Sequence, residues 1–127
     1  MLKYCIGIFL LTIIYSQAII AAQPIFVDKA EDAFMLSKDI KTDLLVVFGA
    51  DWCGACNIMK HDISTTDIVG DIIVCFIDID KRPDLKKEYR VKIVPDYMIY
   101  RDGVEIKRKT SYKSKNDLIQ FLHNDDR

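Results

Sequence analysis

The apolar run Leu44-Leu45-Val46-Val47-Phe48 passes within a few residues into Asp51-Trp52-Cys53-Gly54-Ala55-Cys56. Consecutive apolar residues of this number have the length of a strand covered on both faces. The segment that follows is expected to open a helix. Two cysteines separated by two residues then share one helical turn, with their sulfurs within bonding reach. The pair can close and reopen as a disulfide with little backbone motion. At a helix start, unsatisfied N–H groups and the positive end of the dipole face the first sulfur and favour its thiolate. The thiolate is the attacking species in thiol–disulfide exchange.

A chain of 127 residues suits one modest domain and not two. Much of its apolar excess lies at the start. Met1-Leu2-Lys3 is a short positive region, Tyr4 to Tyr15 is almost wholly apolar, and Ser16-Gln17-Ala18 and Ile20-Ala21-Ala22 offer small-residue cleavage sites. This is the layout of a secretory signal peptide over residues 1–22, with the domain over 23–127. The rival is an uncleaved anchor, since Tyr4 to Ala22 nearly reaches the length that spans a bilayer. Either way the folded part is expected to be exported, to a periplasm-like compartment where disulfides persist, free or tethered to the inner membrane. Without the leader's Lys3, 17 basic residues remain against 19 acidic ones, a net charge of −2. No basic block suggests nucleic acid. Lys107-Arg108-Lys109 reads as an exposed edge or loop.

The remaining pattern predicts a strand over 24–27, then a helix capped by Asp28 and running to about Lys41, with Ala30, Ala33, Phe34 and Ile40 on one face. The cysteine helix is expected to end near Asp62, with Ser64-Thr65-Thr66-Asp67 as a break and new cap before Ile68-Val69. Ile72 to Ile79 reads as a second buried strand, and Pro83 to Tyr89 as a short helix. Asp96 to Arg101 and Val104 to Lys107 flank Asp102-Gly103 as a hairpin. Ser114 to Asp117 reads as a capping box for a last helix through His123. Such an order gives a mixed sheet, parallel early and antiparallel late, with helices on both faces.

That order, with Trp52-Cys53-Gly54-Ala55-Cys56 after the second strand and Val94-Pro95 before the hairpin, resembles the thioredoxin superfamily. Asp78-Ile79-Asp80, Pro83, Tyr89 and Asp102-Gly103 also fall in the family's order. Ala50 to Cys56 and the Asp67-x-Val69 stretch look most like the C-terminal periplasmic domain of DsbD-type thiol–disulfide transporters and related small exported thioredoxins. The resemblance implies an α/β thioredoxin-like fold and a protein-disulfide reductase or electron relay with no cofactor. Its partners would be client proteins with disulfides, and its electron donor a membrane transporter or another thioredoxin. It would act as a monomer. The chain departs from the family in three places. Val47 stands where many members bury a carboxylate, Phe76 where a lysine accompanies it, and Asp96 where a threonine usually follows the cis-proline.

Cys53 is the expected nucleophile and Cys56 the more buried resolving thiol. A permanent structural disulfide is one alternative. Partial zinc ligation by Cys53, Cys56 and His61 is another, but it lacks a fourth ligand, so no metal is expected. Gly54 and Ala55 would support the active-site turn. Pro95 is expected to follow a cis peptide bond facing the cysteines, where the backbone of Val94 could pair with an extended client. Trp52 is either a client-docking surface or core. Asp51 and Asp96 are either solvated carboxylates or tuners whose charge opposes the Cys53 thiolate and leans the chain toward reduction. Cys75 reads as inert core. His61 and His123 are placed at helix ends. Net oxidation or isomerisation of exported proteins, and a non-catalytic binding module, are the rival functions.

Overall fold

The computed structural model describes residues 23–67 and 69–124. The leader, Cys5 and Ile68 lie outside the described residues. In chain order the elements are β1 (Ile25–Phe26), α1 (Ala30–Ile40), β2 (Leu44–Gly49), α2 (Gly54–Thr65), β3 (Ile73–Asp78), α3 (Pro83–Glu88), β4 (Asp96–Arg101), β5 (Val104–Thr110) and α4 (Lys115–His123). The sheet order is β1-β3-β2-β4-β5. β1 and β2 lie parallel to β3, while β4 lies antiparallel to both β2 and β5.

Because side chains alternate across a strand, the apolar runs of β2 and β3 supply two cores at once. Leu44, Val46 and Phe48 join Ile73, Cys75, Ile77, Met98 and Tyr100 under α1 and α3. Leu45 and Val47 join Val74, Tyr97 and Ile99 on the other face, against Met59 and Ile63 of α2 and Leu118 of α4. β2 is therefore buried on both faces. Its C-terminal end delivers the cysteine motif to the rim of the sheet.

Several boundaries differ from expectation for identifiable reasons. Lys29, not Asp28, occupies the position before α1 and makes no side-chain cap; its carbonyl accepts the Ala33 N–H at 3.0 Å. The buried stripe of α1 is Ala30, Ala33 and Ser37, while Ile40 is 46% exposed. Ile40 is the last residue of α1, past the turn that packs on the sheet. α2 runs on past Asp62 to Thr65. The hydroxyls of Ser64, Thr65 and Thr66 donate back to the carbonyls of Lys60, His61 and Asp62 and are absorbed by the helix they were expected to break. His61 consequently lies inside α2 and not at its end.

The hairpin turn has positive φ at both Asp102 (52°) and Gly103 (80°), the geometry that matches the twist of the flanking strands. The Ser114 side chain accepts the Asp117 N–H at 3.2 Å and opens α4. β5 extends beyond Lys107 to Thr110, and its basic triplet is committed, not loose. Lys107 donates to the carbonyls of Phe121 and Asn124 at the end of α4, and Lys109 meets Asp117 at 2.6 Å. Arg108 points to the opposite face.

Candidate active site

Cys53 is the N-cap of α2 and Cys56 lies one turn in. The Cys56 N–H donates to the Cys53 sulfur at 3.2 Å, so this sulfur takes the place an oxygen holds in an ordinary cap. The two cysteines form a disulfide with their Cα atoms 5.2 Å apart. Both residues are 7% exposed, so the expected difference in depth between them does not appear in this oxidised form. Their surroundings differ instead. Cys53 caps the helix; Cys56 packs on the end of β2, where a Cβ on Gly49 would lie 3.2 Å from its Cβ and 3.3 Å from its sulfur. A side chain at Gly49 would therefore crowd Cys56. Gly54 has open space around it, while Ala55 packs on the core.

Trp52 is 68% exposed, which excludes the core reading, and its indole N–H donates to the Asp80 carboxylate at 2.8 Å. The Val94–Pro95 peptide is cis. Val94 packs on the same cluster as Cys53 and Cys56, and the Pro95 carbonyl accepts the Ser111 N–H at 2.9 Å. The neighbouring Ile93 is exposed, a surface feature the sequence reading passed over.

The two acidic candidates have different settings. Asp51 is solvent-exposed and 3.7 Å from Lys81, where screening weakens any effect on the thiol. Asp96 does not turn into solvent. Its side chain is 2% exposed and meets the guanidinium of Arg108 through two contacts, at 2.5 Å and 3.1 Å. Arg108 also donates to the Tyr89 carbonyl at 3.0 Å, tying the segment after Pro95 to the end of α3. The carboxylate in turn raises the pKa of Arg108. Arg108 is the residue the sequence reading missed.

With the disulfide, its N-cap and the cis-proline in place, comparison with known proteins is informative. The thioredoxin family model matches residues 26–124. The chain belongs to the thioredoxin family. A thioredoxin of Pseudomonas aeruginosa is 33% identical over 95 residues, covering 72% of this chain and 88% of that protein. A thioredoxin of Rickettsia bellii is 27% identical over 99 residues, covering 76% and 92%. Among solved structures, the thioredoxin NaTrxh of Nicotiana alata aligns with a TM-score of 0.63 at 26% identity, covering 77% of this chain and 88% of that one. A mutant thioredoxin of Halobacterium salinarum shares the fold at a TM-score of 0.67 and 24% identity, with coverage of 80% and 89%. Family membership and the Cys53–Cys56 pair together support a thiol–disulfide oxidoreductase.

The third cysteine of the domain, Cys75, is fully buried in mid-sheet, and burial pushes its thiol up to about 11. In the reduced native protein, alkylation should therefore label Cys53 first and leave Cys75 unlabelled until unfolding. Mass mapping of labelled peptides checks this. Equal labelling of Cys75 and Cys53 would mean that Cys75 is open to solvent and not held in the core. The raised thiol also gives a sign for alkaline stability. Its contribution is intact below about pH 9 and is lost as pH climbs through about 11, because ionisation then favours the unfolded chain.

Proposed function

We propose that this member of the thioredoxin family is an exported protein-disulfide reductase or electron relay of the DsbD-associated kind. The observation that carries the reading is the Cys53–Cys56 disulfide at the N-cap of α2, beside exposed Trp52 and the cis-proline. Cys53 attacks a client disulfide, a mixed disulfide forms, and Cys56 resolves it, releasing the reduced client. Trp52, Ile93 and the backbone of Val94 form the docking surface for an extended client segment. A membrane thiol–disulfide transporter or another thioredoxin restores the dithiol. Export is supported by Lys3 followed by the apolar run and the small residues before Gln23. Reduction as the net direction is supported by the negative charge that Asp80, acceptor of the Trp52 indole N–H, places beside the motif.

The test is the redox state in the cell. Acid quenching of a bacterial culture, followed by alkylation with a mass-shifting reagent and fractionation, should find the chain outside the cytoplasm and mainly as the dithiol. Its purified couple should have a potential near that of thioredoxin, about −270 mV. A mainly oxidised pool with a potential near about −120 mV would make it an oxidant. Intact soluble protein in the cytoplasm would remove the export assignment.

A further inference from the structure

Cys56 borders a cleft of about 270 Å³, cut between α2, the ends of β2 and β3, and the loops before α1 and α3. A space of that size admits several waters, so the resolving thiol has a route for its proton. The floor beneath it is apolar, because Val47 and Phe76 pair across β2 and β3 and both line the cleft. A thiolate formed there needs a cation nearby. Burial without one disfavours the charged form.

Most charges around the cleft are already engaged. Lys81 lies between Asp51 at 3.7 Å and Asp78 at 3.8 Å. Arg82 is held by Glu31 at 2.8 Å and Asp84 at 2.9 Å. Asp96, on the opposite face of the sheet, is paired with Arg108. Asp28 enters from the loop before α1 with a charge that opposes a thiolate. Lys60 is placed differently. It stands four residues after Cys56 on α2, hence on the same face, and long helical side chains lean back toward the preceding turn. Its ammonium sits 5.4 Å above the centroid of Phe76, which holds it over the cleft. Among the described residues no carboxylate lies within 4 Å of it.

We propose that Lys60 is the cation that supports the Cys56 thiolate during resolution of the mixed disulfide. The proposal rests on the thiol–disulfide reading above. In the step, the Cys56 thiol releases its proton to water in the cleft. The thiolate attacks the Cys53 sulfur, the Cys56–Cys53 bond forms, and the bond from Cys53 to the client breaks. The client leaves as a thiolate that takes a proton from solvent. The two electrons come from the Cys53/Cys56 dithiol, which ends as the disulfide. Lys60 contributes charge alone and is a supporting residue, not a nucleophile or a base.

The experiment uses the Cys53→Ser protein, in which Cys56 is the one thiol left in the motif. Its rate of alkylation by iodoacetamide is followed against pH by peptide mass, at low and at moderate salt. Adding Lys60→Met or Lys60→Gln should raise the midpoint by about half a pH unit or more at low salt, and by less at moderate salt. Lys60→Arg should restore it. Lys60 is exposed, so these variants retain the fold. A midpoint unmoved by loss of the charge, or moved equally by arginine, would overturn the proposal. Insulin disulfide reduction by the unaltered protein is measured in parallel. Its absence would count against the oxidoreductase reading, whereas the midpoint of Cys56 reports on Lys60 without any turnover.

Discussion

Cys53→Ser should reduce protein-disulfide reduction to the background rate of the assay thiol, and Cys56→Ser should do nearly the same while accumulating client mixed disulfides. The two losses have different causes. On the proposed mechanism Cys53 supplies the attacking sulfur at the helix N-cap, where the Cys56 N–H already points at it, and a serine hydroxyl is far too weak a nucleophile to replace it. Cys56 is required only afterwards, to displace the client from Cys53. Its loss therefore leaves the first step running and the covalent adduct intact. Non-reducing electrophoresis with mass spectrometry separates the outcomes. Adducts should appear with Cys56→Ser and vanish with Cys53→Ser or on added reductant. Adducts on Cys56 instead would reverse the assigned roles. Adducts with neither variant would favour a binding module.

Arg108→Met should lower stability by about 3 kcal/mol, the lower end of the cost of breaking a buried ion pair, and drop the Tm by about 10–20 °C. The loss stays at that lower end because the Arg108 side chain is 32% exposed, so part of the pair already faces water. The asymmetry between the partners is the sharper test. Removing Arg108 strands the Asp96 carboxylate at 2% exposure and also takes a donor from the Tyr89 carbonyl. Removing Asp96 leaves an arginine that can swing its head into solvent. Asp96→Thr should thus cost only about 1–2 kcal/mol. In the double variant most of the Arg108→Met loss should return, because no charge is left buried. Thermal denaturation of the three variants checks this. Equal losses from the two single changes would mean that Asp96 has another route to water.

Much of the fold was legible because its signals are local. Leu44 to Phe48 is too continuous for a half-exposed strand, Asp102-Gly103 has the conformational freedom a two-residue turn demands, and Ser114 stands three residues before the N–H it accepts. The cysteine site was legible for the same reason, since its two sulfurs and its helix cap lie within one turn of sequence. What escaped depends on neighbours distant in sequence. Asp96 could be recognised as unusual after Pro95, but its partner could not be identified. An unbroken hairpin closed by Asp102-Gly103 would place Arg101 opposite Val104 and Tyr97 opposite Arg108, turning Arg108 away from Asp96. The register slips between Ile99 and Tyr100, leaving Ile106 as the extra residue, and Met98 faces Arg108 instead. That single added residue carries Arg108 to the face where Asp96 is buried. The motif Lys107-Arg108-Lys109 read as loose edge charge for want of this slip.

The slip and the basic triplet also bear on how the molecule behaves in company. β5 is an outermost strand, and a bare outer strand is a template on which another chain can extend the sheet. Here the strand is bent by its extra residue and loaded with cations that alternate between the faces, Lys107 and Lys109 holding α4 and Arg108 holding Asp96. On the proposed function, extended segments of client proteins would have to be received at one place only. The clamped outer strand discourages their addition along the wrong side, so crowding by partly unfolded clients need not seed aggregation there.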